Sequence, residues 1–175
     1  MPSSAQPRPR PAEWISTGLV DEATSFLLRE LLRRSASAAG AENTALWLVR
    51  DNTLAAVLGT GPHAAHFVGR YEQALERGII SLVYVSGQPL CENAIAENPH
   101  HNPTLDHQLG ITSDAMIAMP ITALGEIAGV LTCVHCRPAG ATEEPSRFQA
   151  KDLAEFEFAA ACVGRILDSS LLSAA

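Results

Sequence analysis

Two cysteines and a histidine stand close together in the segment Cys133-Val134-His135-Cys136. A Cys-x-x-Cys pair can hold zinc or carry out thiol–disulfide exchange when a turn or a helix start brings both sulfur atoms together. The surrounding sequence, VLTCVHC, contains no residue that would break a strand. Because side chains alternate between the faces of a strand, we expect Cys133 and Cys136 to point to opposite sides, as buried apolar residues rather than as a shared metal or redox site.

A second group of possible ligands lies in the long polar segment 95–114. It contains three histidines and an aspartate: His100, His101, Asp106 and His107. Imidazole and carboxylate groups suit zinc or iron, but adjacent histidines project in different directions and no spacing places this set on one helical face. We therefore predict a solvated loop and no metal. If the loop acts, we expect its histidines, with Asn93 and Asn98, to hydrogen-bond a small polar ligand.

Composition limits the classes of protein that can present these residues. The chain has 175 residues, of which 47% are hydrophobic, and this length and core content indicate one domain. Its 12 basic and 19 acidic residues give a net charge of −7, which argues against nucleic acid and anionic membrane surfaces as partners. The sequence MPSSAQPRPRP has no apolar segment like that of a signal peptide. We expect a cytoplasmic protein with reduced cysteines.

The N-terminal part of the chain divides into a tail and a helix. Residues 1–11 are rich in Pro, Ser and Arg and offer nothing to bury, so we predict a disordered tail, followed by a single domain over 12–175. Apolar residues at helical spacing predict a helix over 12–40, closed by Gly40. Its leucines occupy two adjacent stripes, which indicates that this helix packs on its own domain and on something else.

A second long helix is predicted at the C-terminus, over 147–172. Ser146 and Gln149 match a capping box at its start. Apolar residues then recur at spacings of three and four, as in a coiled coil: Leu153, Phe156, Ala160, Val163 and Leu167.

The central part of the chain alternates strands with short helices. Two hairpins are predicted, one turning at Asp51-Asn52 and the other at Leu124-Gly125-Glu126. Between them we expect a helix through 63–75, a short apolar helix at 79–85 and a strand near 89–94. This order of elements predicts an α+β domain with an antiparallel sheet and helices on its faces.

Three passages resemble the GAF domain family. They are GIISLVYVSGQPLCENA, the hairpin MPI followed by GEIAGVLTC, and the closing helix FQAKDLAEFEFAAACVGRIL. The resemblance extends from about Glu13 to Leu171. It implies a central antiparallel sheet with the N- and C-terminal helices on one face, through which members of the family often dimerise, and a closed pocket for a small ligand on the other face.

Known branches of the family differ in their functional residues, and each set can be compared with this sequence. The strand GVLTCVHCRP is most similar to that of bilin-binding members, but Pro103-Thr104 stands near the place of their attachment cysteine, so a covalent bilin is not expected. The motif of cyclic-nucleotide-binding members has no counterpart here. Free methionine-R-sulfoxide reductase uses pocket cysteines, a role that Cys91 with Cys133 or Cys136 could take, although other patterns of that enzyme are absent.

The similarity to bilin-binding members implies which strand residues turn toward the pocket, although a slip of one residue would exchange the faces. Adding the polar groups of the preceding strand and loop, the predicted ligand-binding residues are Cys91, Asn93, His101, His107, Met116, Ala118, Thr132, Val134 and Cys136. A mostly apolar cavity with few polar groups is typical of small-molecule sites. The sequence indicates no particular cofactor.

The functional expectation is a non-catalytic sensory or regulatory GAF module. We expect it to bind a small molecule, to form a homodimer through its terminal helices, and to pass its signal to a partner protein or to the rest of a longer chain. The alternatives are a reductase-like enzyme using Cys91 with a second pocket cysteine, a haem or metal sensor, and a ligand-free assembly domain.

Overall fold

The structure is a computed structural model that describes residues 10–174. Its helices are α1 (Glu22–Ala38), α2 (Ala64–Phe67), α3 (Ile79–Ser86), α4 (Thr104–Leu109) and α5 (Ala150–Ser173). Its strands are β1 (Asn43–Arg50), β2 (Thr53–Thr60), β3 (Glu72–Ala74), β4 (Leu90–Glu92), β5 (Ile111–Ala123) and β6 (Glu126–Pro138). The strands form one antiparallel sheet in the order β3-β2-β1-β6-β5-β4. The predicted α+β class with a central antiparallel sheet is confirmed.

Both predicted hairpins are present, and each turns at a residue with positive φ. Asp51 adopts a φ of 50° between β1 and β2, and Leu124 adopts a φ of 54° between β5 and β6. Asp and Asn reach this left-handed region more easily than most residues, which is why the Asp51-Asn52 pair was a usable signal. Gly125, with a φ of 82°, completes the second turn.

One face of the sheet is covered by α1 and α5. Leu28 and Leu32 of α1 and Phe156 and Leu167 of α5 are completely buried there. The contact between α5 and β5 is close, because a Cβ atom built on Gly164 would lie 2.4 Å from the carbonyl oxygen of Thr122. The glycine therefore allows the helix to reach the backbone of the strand. None of the described helices is long and apolar enough to cross a membrane.

The opposite face is covered by shorter elements. Here α3 and the segment that contains α4 pack on β5 and β6, and a separate core cluster, which includes residues of β1, lies between the covering and the sheet. Ile79, Ile80 and Val83 of α3 are buried in this cluster. Two unequal coverings therefore enclose the sheet, one made of long helices and the other of short segments.

The terminal helices differ in detail from the prediction. The helix expected over 12–40 begins only at Glu22, because Asp21 caps it by accepting a hydrogen bond from the backbone N–H of Thr24 at 2.7 Å and Gly18 turns the preceding chain with a φ of 75°. Before it, Pro11–Glu13 form a 3₁₀ turn, which contradicts a tail that extends to residue 11. The rest of that predicted tail, 1–9, lies outside the described residues.

The closing helix begins later than predicted. Its N-cap is Gln149, whose backbone N–H donates to Asp152 at 2.7 Å, so the expected capping box at Ser146 is wrong. The predicted helix through 63–75 is also wrong beyond Phe67. The helix ends at Phe67, since Val68 is already extended; Gly69 then turns the chain with a φ of 73°, and β3 follows.

Candidate ligand-binding pocket

A partly enclosed cavity of about 100 Å³ lies between the sheet and its thinner covering. Strands β1, β5 and β6 form its floor, while β3, α3 and the α4 segment form its walls. Most of its lining is apolar, from residues such as Ala45, Ile79, Ile80, Leu105, Leu109 and Met116. This combination of apolar walls with a few polar groups is typical of small-molecule sites, and the volume suits a ligand of few atoms rather than a tetrapyrrole.

Aromatic side chains form one wall of the cavity. The ring of Trp47 stacks on Phe67 with centroids 5.9 Å apart and meets Tyr71 edge-on at 6.1 Å. The indole N–H of Trp47 donates to the hydroxyl oxygen of Thr132 at 3.0 Å, and both residues are buried. The indole is thus fixed by a partner on β6, and its ring is presented to the cavity as a rigid apolar surface.

Gln73 of β3 holds the covering segments together. Its Oε1 accepts from the hydroxyl of Tyr71 at 3.3 Å and from Nδ2 of Asn102 at 3.1 Å, while its Nε2 donates to the carbonyl of Arg77 at 2.6 Å. Gly78, at the start of α3, has a φ of 91°, and a Cβ there would lie 3.0 Å from the Gln73 amide nitrogen. One buried amide therefore links β3, the start of α3 and the loop before α4.

Asp106 of α4 is the carboxylate at the cavity. Its Oδ2 accepts from the backbone N–H of Ser113 at 2.9 Å, its Oδ1 accepts from the Ser113 hydroxyl at 2.9 Å, and His101 Nε2 lies 3.5 Å from Oδ2. Burial by itself raises the pKa of Asp106, but the interactions with His101 and Ser113 outweigh it and hold the pKa below its usual value. Asp106 is therefore ionised at neutral pH.

The charge of Asp106 acts across the cavity. Burial raises the pKa of Tyr71, and the negative charge of Asp106 raises it further. Burial followed by Asp106, Asp114 and Glu42 raises the pKa of Cys136 to about 11. Both groups consequently stay protonated at neutral pH, and the Cys136 sulfur accepts from Nδ2 of Asn43 at 3.1 Å.

Five of the predicted ligand-binding residues do line the cavity. They are His101, Met116, Thr132, Val134 and Cys136. The register pairs Met116 with Val134, so the two strands present the same face, as predicted. Ala118 is buried on that face in the core cluster but does not reach the cavity.

Three predicted residues lie elsewhere. Cys91 pairs with Ile117, which faces the terminal helices, so its side chain points away from the cavity. Asn93 binds the backbone of Phe148 twice, accepting at 2.8 Å and donating at 3.1 Å, and so anchors the segment before α5. His107 is on the exposed side of α4. The position of these residues depends on sheet partners and helix rotation, which the local pattern does not specify.

The cysteines do not come together. Cys133 is buried on the helix face while Cys136 lines the cavity on the other, which confirms the predicted divergence. Cys91 and Cys133 are separated by β5, a spacing of roughly 10 Å that exceeds the reach of a disulfide. All four cysteines are free, and within residues 10–174 no cluster of His, Cys, Asp and Glu could hold a metal ion.

Several residues of the cavity were not predicted. The most important are Asn43, Trp47, His63, Phe67, Tyr71, Gln73, Asn102 and Ser113. Tyr71 and Gln73 were not predicted because the sequence of their segment is typical of a helix. Ala45 and Trp47 are two residues apart in β1 and therefore lie on the same face of the sheet. This spacing is the signal in the sequence that could have identified them together.

Comparison with known proteins agrees with this architecture. The family model of the GAF domain matches residues 25–167, and the chain therefore belongs to the GAF domain family. None of the curated proteins matches the sequence.

Similar solved structures cover most of the chain at low identity. The GAF domain of a phosphoenolpyruvate-protein phosphotransferase from Coxiella burnetii is 17% identical with a TM-score of 0.73, covering 93% of this chain and 94% of its own. Free methionine-R-sulfoxide reductase from Neisseria meningitidis, solved with its substrate, is 18% identical with a TM-score of 0.62, covering 93% and 87%. The GAF-B domain of DevS from Mycobacterium smegmatis is 15% identical with a TM-score of 0.63, covering 86% and 96%. These likenesses show the fold.

Proposed function

We propose that this chain is a non-catalytic regulatory GAF module of the cytoplasm that binds a small molecule in the pocket. The module dimerises through α1 and α5 and signals to a partner protein whether the pocket is occupied. The observation that carries the proposal is the cavity itself, in which buried polar groups stand among apolar walls. The cysteine geometry described above favours binding over thiol catalysis, since the only pocket thiol of the described residues is a protonated one.

Exposed apolar side chains support dimerisation through the terminal helices. Phe26 and Leu27 of α1 are 69% and 53% exposed, and Phe158 and Leu172 of α5 are 64% and 69% exposed. These side chains are not among those with which the helices pack on the sheet. This agrees with the two leucine stripes of α1, which predicted a second contact surface on that helix. Covering these side chains would bury apolar area that a monomer leaves in water.

The strands offer a short route between the two faces. Met116 and Val134 line the cavity, whereas their neighbours Ile117 and Cys133 pack against the terminal helices. A shift of β5 or β6 on ligand binding would therefore reach the helix pair through adjacent residues. Such coupling requires that the ligand bind two arrangements of the helices with unequal affinity.

Native mass spectrometry of the freshly purified protein tests the proposal directly. We expect a dimer and, for protein that retains its ligand, an additional small mass that is released on denaturation. A dimer without retained mass and without a thermal shift across a metabolite panel would favour the ligand-free assembly domain. Turnover of free methionine sulfoxide with a thiol reductant, lost in Cys91→Ser, would establish the enzyme instead.

Matched substitutions locate the dimer interface. Leu27→Glu and Phe158→Glu should each shift the mass toward the monomer, because a carboxylate would be buried between the helices. Val85→Glu is the control, since Val85 is 69% exposed but lies on α3 over the other face of the sheet. Dissociation by Val85→Glu alone would place the interface on the pocket side and contradict this part of the proposal.

A further inference from the structure

The charged groups at the cavity are of one sign. Asp106 is ionised, and among residues 10–174 neither a lysine nor an arginine lines the cavity. Besides Asp106, Tyr71 and Cys136, the titratable groups among the described lining residues are His63 and His101, and only these two can carry a positive charge. A negatively charged ligand would therefore meet repulsion without a permanent cation to offset it.

Most of the other polar groups of the cavity are already paired with each other. The hydroxyl of Thr132 accepts from Trp47 at 3.0 Å and lies 3.4 Å from the carbonyl of Ala45. The amide of Gln73 uses its oxygen for Tyr71 and Asn102 and its nitrogen for backbone carbonyls. These groups hold the walls in place and leave little capacity for a ligand.

Asp106, in contrast, retains an acceptor site. A carboxylate offers about four lone-pair positions. Ser113 occupies two of them at 2.9 Å, and the His101 nitrogen stands at 3.5 Å, a distance longer than a good hydrogen bond. A donor that enters the cavity can thus reach an ionised acceptor that the fold already holds in place.

From these observations we infer that the pocket takes a small ligand of the class of a protonated alkylamine, with a compact apolar body and a cationic head that donates hydrogen bonds. The head binds Asp106, and the body packs against Trp47 and Leu105. The inference rests on the proposed function, since it names the ligand class of the same pocket. The cavity of about 100 Å³ limits the body to a few carbon atoms. Ligands that carry phosphate or carboxylate groups without an amine are disfavoured.

Three probes with one isobutyl body and different heads test the inference. Isobutylamine, isobutanol and isovalerate are titrated into the protein at pH 8, where an alkylamine is protonated and free imidazole is not, and binding is followed by calorimetry and by NMR shifts of the Trp47 indole. We expect the amine to bind about tenfold more tightly than isovalerate, with isobutanol between them, because a single partly buried charge interaction has roughly this size.

Two variants assign the preference to one carboxylate. Asp106→Asn should lower the affinity for isobutylamine by about tenfold and change that for isobutanol by less than about twofold. Glu92→Gln is the control, because Glu92 also accepts from a backbone N–H and a side-chain amide of this loop but does not line the cavity. It should leave all three affinities unchanged.

The outcomes separate the ligand class from the proposed function. If isovalerate or isobutanol binds the unaltered protein as tightly as isobutylamine, the inference is overturned while a ligand-binding module still stands. If none of the three binds, the inference also fails, and the native mass spectrum, which assumes no ligand class, decides the function separately. A loss of isobutanol binding in Asp106→Asn would mean that the variant disturbs the pocket, and the comparison of the three probes on the unaltered protein would then decide.

Discussion

The two faces of the sheet are made from the same strands but are packed in different ways. On the face toward α1 and α5, Phe156 and Leu167 are completely buried and Gly164 lets the helix touch the backbone of β5. On the other face the covering segments leave a cavity of about 100 Å³; hydrogen bonds of Gln73 join them to each other, and those of Asp106 join α4 to Ser113 of β5. One face is close-packed, and the other combines space with directed polar contacts.

This difference indicates how the two faces share the work of the domain. Close packing resists changes of volume, so a displaced strand moves the helices that rest on it. A covering that leaves a cavity above the sheet and makes part of its contacts through hydrogen bonds can open and close at lower cost in free energy. In the function proposed above, the helix face serves stability and assembly, and the pocket face serves recognition.

The same truncation on both faces should give the largest contrast. Leu167→Ala should lower the free energy of unfolding by about 2–5 kcal/mol, because it leaves a cavity in a close-packed core. Leu109→Ala should cost clearly less, since Leu109 already borders an existing cavity. Urea denaturation of both variants measures the two values. Equal losses would mean that the pocket face is packed as tightly as the helix face.

A substitution at Gly164 tests the close packing of the helix face through the sign of its effect on the free energy of unfolding. Alanine normally stabilises the interior of a helix by about 0.5–1 kcal/mol relative to glycine. At Gly164 the added Cβ would lie 2.4 Å from the Thr122 carbonyl oxygen, and we expect Gly164→Ala to destabilise by about 1–3 kcal/mol instead. Thermal or urea unfolding determines the sign. A stabilised variant would show that α5 can move away from β5 freely.

The sequence was sufficient for the sheet faces and insufficient for the covering segments. The alternation along β6 correctly placed Cys133 and Cys136 on opposite faces, because a period of two is a local property of any strand. That Cys136 lies on the pocket side was implied by the resemblance to bilin-binding GAF domains. The side on which Cys91 lies depends on its pairing with Ile117 across the sheet, and β4 is too short to show a pattern of its own.

The hydrogen bonds around the pocket were even harder to predict from sequence patterns. Gln73 and Asn102 are 29 residues apart, and nothing local to either one indicates that they share a hydrogen bond. Asp106 and Ser113 are closer, but Gly110 turns the chain between them with a φ of 66° and so ends α4 before β5 begins. Single glycines such as Gly69 and Gly110 thus determine where the covering segments turn.

The smallest expected effect concerns the pH dependence of stability on the pocket face. Because the folded protein holds the pKa of Asp106 below its usual value, the ionised form stabilises the fold above about pH 4, and this contribution is lost as the pH falls further through the folded pKa. The free energy of unfolding of Asp106→Asn should therefore decline less between pH 6 and pH 3 than that of the unaltered protein. Glu157→Gln, which removes an exposed carboxylate of α5, controls for the change in net charge. Parallel curves for Asp106→Asn and the unaltered protein would mean that the charge of Asp106, although held by His101 and Ser113, does not stabilise the covering of the pocket.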